Sequence, residues 1–216
     1  MVYYIIPTLS YMEPFDGANE RLLEHTLDSI AKKFHRRVIV STDQGWALDY
    51  VKDMRVKGMP VSENIKENEG SYRDVLAEVG NRMTMEGDDE FVMLSLEYPN
   101  RTYRNIRSAI QHYRKNPHAK SMLCRMPSKE VPQKIMIENE EEQGGTPLVE
   151  DEGQEWKESE FEQGFRHSHF ITISQVSEIS ELNTWLWNED TIFFPINSNN
   201  IQRTRTKKQL DAIENA

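Results

Sequence analysis

Apolar residues in this chain fall into two spacings that alternate along most of its length, and together they predict a layered α/β fold. The opening run Val2-Tyr3-Tyr4-Ile5-Ile6 is continuously β-branched and aromatic until Pro7, the pattern of a strand covered on both faces of a parallel sheet. From Arg21 onward, Leu22, Leu23, Thr26, Leu27, Ile30, Ala31 and Phe34 recur at helical spacing, which predicts a helix with one apolar face. Val38-Ile39-Val40 supplies a second strand. The chain thus opens with a βαβ unit, whose crossover is right-handed in nearly all known cases.

The alternation continues through a helix from Trp46 to Val56, a short strand near Pro60-Val61, and a helix opened by Ser71 with Asp74 at capping-box spacing. Phe91-Val92-Met93-Leu94 predicts a central strand. Thr102 to Lys115 predicts a helix with Ile106, Ala109, Ile110 and Tyr113 on one side, and Ser121-Met122-Leu123-Cys124 a further strand. After Phe170-Ile171-Thr172-Ile173 come a helix carrying Val176, Ile179, Leu182 and Leu186, a strand from Thr191 to Ile196, and a terminal helix from about Thr206. Periodicity fails between Pro127 and about Phe165. The expectation is one three-layer α/β domain over residues 1–126 and 166–216, with a mostly parallel sheet mixed at its edge. An arm or flap is inserted over 127–165.

Charge sharpens the arm. The 216-residue chain has a formal net charge of −10, and from Glu138 to Glu162 there are 11 acidic residues against one base, Lys157. The remaining 25 acids and 25 bases balance, so the whole excess lies in that stretch. Such a surface disfavours duplex nucleic acid and anionic membranes while leaving room for a local basic pocket. A single cysteine, Cys124, excludes an intramolecular disulfide and fits a reducing compartment. No run of 18 apolar residues occurs, and the first strand lacks a basic lead, so neither a membrane span nor a secretion leader is expected. The expected location is the cytoplasm.

Open parallel sheets bind ligands beyond the carboxyl ends of their strands, which directs attention to Pro7–Asn19, Ser41–Gly45, Ser95–Thr102 and Asn197–Thr206. At two of these places the residues resemble the cytidylyltransferases that activate sialic acid and related sugars as CMP-sugars. Val38-Ile39-Val40-Ser41-Thr42-Asp43 looks like that family's second strand with its Ser-Thr-Asp ending. Leu94-Ser95-Leu96-Glu97-Tyr98-Pro99-Asn100-Arg101 resembles its Leu-Gln-Pro-Thr-Ser-Pro-Leu-Arg loop, retaining Leu94, Pro99 and Arg101. The resemblance implies a nucleotide-diphosphosugar-transferase-like (GT-A) fold, transfer of a cytidylyl group from CTP to a sugar or sugar acid, and a homodimer built through the arm. It implies catalytic roles for Asp43, Glu97 and Arg101, nucleotide contacts from Thr8, Ser10, Asn19, Arg21, Ser95 and Tyr98, and Mg²⁺ as cofactor.

Two departures from the family pattern bear on that expectation. The first loop has no Lys or Arg before Arg21 and carries Glu13 and Asp16, where the family places cations and a Gly-Ser that hold the triphosphate. Asn200-Ile201-Gln202 aligns with a metal-binding Asp-Ile-Asp, so Mg²⁺ at Asn200 and Gln202 would meet neutral amides. The expected partner is a nucleotide or nucleotide-sugar, and a nucleotide, if it binds, is therefore expected to do so weakly and with little dependence on Mg²⁺. Two further readings stand beside transfer. One is a degenerate binding or assembly module on the same fold. The other is a nucleotide-sugar-dependent glycosyltransferase, which shares the Ile5-Ile6-Pro7-Thr8 opening but needs an Asp-x-Asp where Ser95-Leu96-Glu97 stands.

Other residues carry competing readings. His167 and His169 share a strand face and could hold a metal, but no third ligand stands at a recognisable spacing, so a polar strand edge is the simpler reading. Cys124 sits in an apolar strand and reads as a small buried hydrophobe rather than a nucleophile. Arg104, Arg107 and Arg114 form either a solvated helix face or a phosphate contact. Arg203, Arg205, Lys207 and Lys208 could meet a nucleotide or an acidic partner, or simply begin a basic helix.

Overall fold

Tyr4, Val38 and Val92 stand in register on adjacent strands, so the three apolar runs that open the α/β pattern meet in one sheet. A computed structural model of the chain describes residues 1–11, 18–128, 136–139, 144–147, 165–197 and 201–215. Its main sheet has seven strands: β1 (Val2–Thr8), β2 (Val38–Thr42), β3 (Lys57–Pro60), β4 (Glu90–Met93), β5 (Ser121–Pro127), β8 (Phe165–Gln175) and β9 (Thr191–Pro195). Their order across the sheet is β3-β2-β1-β4-β8-β5-β9. All run parallel except β8, which is antiparallel to both neighbours, β4 and β5. The antiparallel strand thus lies inside the sheet, not at the edge where it was expected. Met136–Asn139 (β6) pairs with Gly144–Pro147 (β7) in a separate two-stranded sheet.

The unbroken apolar strands are explained by cover on both faces. Tyr4, Ile6, Val38, Val40, Val92 and Leu94 point into one core layer, while Ile5, Ile39, Phe91 and Met93 point into the other. The first layer is closed by α1 (Asn19–Asp28), through Leu22, Leu23 and Leu27, by α5 (Tyr103–Arg114), through Ile106, Ala109 and Tyr113, and by Leu210 of α6 (Lys207–Glu214). The second is closed by α4 (Tyr72–Arg82), through Val75, Leu76 and Val79, with Ile65 from the short α3 (Glu63–Glu67). Ser71–Asp74 forms the full capping box that its spacing predicts, and Thr102–Asn105 forms another at the start of α5.

Three helical expectations need correction. The first helix ends at Asp28, and Phe34 lies in a separate 3₁₀ turn, Lys32–Arg37. The helix α2 is Gly45–Val51 and stops well before Val56. Val176–Glu181 is 3₁₀ rather than α: Val176, Ile179 and Leu182 repeat every third residue, and a 3₁₀ helix brings i and i+3 onto one line. Among the described residues, no helix is long and apolar enough to cross a membrane.

Candidate functional site

The strand order reverses between β1 and β4, so the loops leaving those two strands diverge and open a crevice at the carboxyl edge of the sheet. Each loop is fastened by a polar contact. Thr42 donates its hydroxyl to the Thr8 carbonyl at 2.7 Å. Asp43, the next residue, accepts the Ser10 backbone N–H at 2.9 Å through one oxygen and the Ser10 hydroxyl through the other. Asp43 therefore holds the first loop against β2 with both of its oxygens.

The loop after β4 turns on Ser95, whose hydroxyl accepts the Glu97 N–H at 3.2 Å. Arg101 locks that turn from beneath. It is 3% exposed, and its guanidinium donates to the carbonyls of Ser95 and of Phe170 (2.8 Å) while lying over the Phe170 ring. A buried guanidinium on two carbonyls shapes the loop from inside the core. Tyr98 packs edge-on against Phe170 and its phenol oxygen accepts the Ser168 hydroxyl at 2.7 Å. Burial pushes its ionisation up despite that hydrogen bond.

A cleft of about 790 Å³ opens beside these loops. Glu97 and Tyr98 line it from the β4 loop, Tyr11 from the first loop, Tyr72 from the start of α4, Ser168 and His169 from β8, and Trp185 from the segment before β9. The His169 and Trp185 rings are nearly parallel, 11° apart with centroids 6.2 Å apart, and Tyr72 meets His169 edge-on at 4.9 Å. His169 shares a hydrogen bond of 3.0 Å with Thr172 through Nδ1, and its Nε2 is buried. Burial, then the neighbouring His167 and Arg203, push its pKa down to about 3, so the ring is neutral near pH 7.

The fourth wall comes from the C-terminal segment. The Thr204 N–H donates to the Glu97 carbonyl at 2.7 Å, and the extended backbone puts Arg203 and Arg205 on one side. Arg203 Nε lies 2.6 Å from one carboxylate oxygen of Glu97 and Arg205 Nε 2.6 Å from the other. Burial works against the charge on Arg203, and the Glu97 carboxylate outweighs it, holding the guanidinium above its ordinary pKa. The described lining carries Arg166, Arg203 and Arg205 against the single carboxylate Glu97. In a chain with a net charge of −10, this is a local basic pocket.

The structure thus gathers some of the residues singled out from sequence and separates others. Glu97 and Tyr98 face the cleft, while Ser95 and Arg101 underlie it. Thr8 is buried at the end of β1, with Ser10 and Asp43 joined to each other beyond it. Arg21 faces away: it pairs with Asp211 at 2.7 Å and with Glu214, tying α1 to α6. Asn19 shares a small hollow with Arg21 and Trp46. Asn200 lies outside the described residues, as do Glu13 and Asp16, and Gln202 is exposed. Among the described residues of this segment, Arg203 and Arg205 line the cleft and Gln202 does not. Cys124 is fully buried, donates to the Ile171 carbonyl, and has its thiol pushed up to about 12 by burial. Arg114 is committed to Glu90 through two nitrogens.

Mg²⁺ chemistry would need hard anionic oxygens, and the described residues do not supply such a set. Both oxygens of Asp43 are taken by Ser10 and both of Glu97 by arginines, and no group of three His, Cys, Asp or Glu side chains comes together among the described residues. The aromatic wall of Tyr11, Tyr72 and Trp185 escaped the sequence reading, since single aromatics in a loop, at a helix start and in the segment before β9 carry no shared periodic signal.

Solved structures share this architecture. The chain is similar to a CMP:2-keto-3-deoxy-manno-octonic acid synthetase complexed with CTP, at 14% identity and a TM-score of 0.62, covering 99% of this chain and 97% of that one. It is similar to the Francisella tularensis 2-C-methyl-D-erythritol 4-phosphate cytidylyltransferase at 11% identity and a TM-score of 0.62, covering 99% and 98%. A 4-diphosphocytidyl-2C-methyl-D-erythritol synthase from Anaerococcus prevotii matches at 12% identity and 0.58, covering 100% and 99%. No family model and no curated protein sequence matches the chain. These likenesses establish the fold: a mostly parallel α/β sheet of the cytidylyltransferase type, kept over the full length.

Proposed function

We propose that this protein is a CTP-using nucleotidyltransferase that moves a cytidylyl group onto a sugar or sugar acid. The observation that carries the reading is the basic, aromatic-walled cleft at the carboxyl edge of a fold shared end to end with cytidylyltransferases, one of them complexed with CTP. In the reaction, an acceptor hydroxyl oxygen bonds to the α-phosphorus of CTP as the bond from that phosphorus to the pyrophosphate oxygen breaks. The hydroxyl proton passes to water and pyrophosphate leaves with the bonding electrons. Tyr98, Tyr72 and Trp185 offer ring faces and edges to a base or sugar, and Arg203 and Arg205 offer positive charge to a phosphate or carboxylate. Ser95 and Arg101 fix the β4 loop, and Asp43 fixes the Ser10 loop, so these residues position the site from behind.

A second reading, a binding or assembly module without turnover, is favoured by one observation: both carboxylates at the strand ends already hold an internal partner on each oxygen. The two readings part in one assay. Pyrophosphate release from CTP is followed while acceptor sugars and sugar acids are varied. Acceptor-dependent release supports transfer, whereas saturable CTP binding with no release across the panel would leave the module. The arm over 127–165 as a homodimer contact, and the cytoplasm as the site of action, belong to the same proposal. Sedimentation velocity of the full chain against a variant lacking 129–164 tests the dimer.

A further inference from the structure

The Glu97 contact leaves a specific remainder. Each arginine spends its Nε–H on one oxygen of Glu97, and among the described residues the Nη groups of Arg203 and Arg205 meet no partner. Both side chains are 52% exposed, against 11% for Glu97. A carboxylate that grips two guanidiniums by Nε fixes their planes and leaves their outer edges, the part of the fork that matches an oxyanion, turned to the cleft. Two cations against one anion keep the Arg203–Glu97–Arg205 cluster positive. The backbone contributes as well, since Thr204 is held by the Glu97 carbonyl and is fully buried, so the two arginines start from a fixed base.

We propose that Arg203 and Arg205, latched by Glu97, form an oxyanion site that holds a phosphate or carboxylate of the ligand without a divalent cation. The cations that neutralise the ligand would then be side chains of this chain. The inference deepens the transferase reading, in which the site would hold the substrate's anionic group, and a module without turnover would keep the same site. The pair also places positive charge on both oxygens of Glu97, which opposes the approach of a cation to that carboxylate.

Titration calorimetry of the full chain with inorganic phosphate, CMP and gluconate, each with EDTA and again with MgCl₂, tests the site. Phosphate and gluconate separate the two oxyanion sources, and CMP adds the base. At least one of the three is expected to bind equally well in EDTA and in MgCl₂. Its affinity is expected to fall about tenfold or more in Arg203→Gln and in Arg205→Gln, as loss of a charge-assisted contact predicts. The same loss is expected in Arg203→Lys and Arg205→Lys, which keep the charge but not the Nε latch. Arg104→Gln on the exposed face of α5 is expected to leave affinity unchanged, and far-UV circular dichroism verifies that each variant is folded. Binding that disappears in EDTA, binding unchanged in folded Arg203 and Arg205 variants, or no binding of any of the three anions would each overturn the proposal. Pyrophosphate release that survives in those variants would sink the oxyanion site while leaving the transferase reading intact.

Discussion

Asp43 at the end of β2 grips Ser10 after β1, taking its backbone N–H at 2.9 Å with one oxygen and its hydroxyl with the other. The contact joins residues 33 positions apart and sets where the first loop enters the crevice. An amide can mimic it, accepting the N–H and donating to the hydroxyl. Asp43→Asn is therefore expected to melt within experimental error of the parent, and Asp43→Ala to lose about 1 kcal/mol in denaturant unfolding. If Asp43 does chemistry in addition, Asp43→Asn will lose pyrophosphate release at unchanged stability, which the same two measurements show.

Arg101 should behave as core. Replacing it with Ala removes the donors to the Ser95 and Phe170 carbonyls and opens a void beside the Phe170 ring. The expected cost is about 2–4 kcal/mol in urea unfolding. Arg101→Lys should recover only part of that loss, since one ammonium cannot reproduce a planar fork. Parental stability in Arg101→Ala would show that the loop is held by other means.

Arg21 makes the opposite case. Its ion pairs with Asp211 and Glu214 are solvent-exposed, so Arg21→Ala should lower the melting temperature slightly and the difference should vanish in high salt. CMP affinity should not change. A large loss of CMP binding would return Arg21 to the nucleotide site where the sequence resemblance puts it.

His169 gives the stability a pH signature. Its folded pKa of about 3 lies below the ordinary histidine value of 6.5, so the unfolded chain binds the proton more readily. The contribution is fully present above about pH 6.5 and is lost as the pH falls from there toward 3. The cause is burial first, then repulsion from His167 and Arg203, with Tyr72 and Trp185 packed around the ring. The difference in unfolding free energy between the parent and His169→Gln should shift toward the variant as pH drops from 7 to 4. A difference that is flat over that range would show that His169 titrates normally.

The architecture was legible because local pattern and tertiary demand coincide there. Val2–Ile6, Val38–Val40 and Phe91–Leu94 are apolar at every position, and only a strand covered on both faces requires that, so the three-layer plan follows from the sequence. Ser71 and Asp74 state their capping box in the spacing alone. Tertiary structure decided which carboxylates are spoken for. Glu97 reads as a carboxylate at a strand end, yet its two oxygens accept from Arg203 and Arg205, 106 and 108 residues away. Arg203 and Arg205 stand at i and i+2, a spacing that many polar segments share and that does not by itself mark a site. The Thr204 hydrogen bond to the Glu97 carbonyl holds this segment beside the β4 loop, where the two arginines line the cleft. Strand period and helix caps are short-range and leave marks in the sequence, whereas a fork closing on a distant carboxylate depends on where the folded backbone sets the two down.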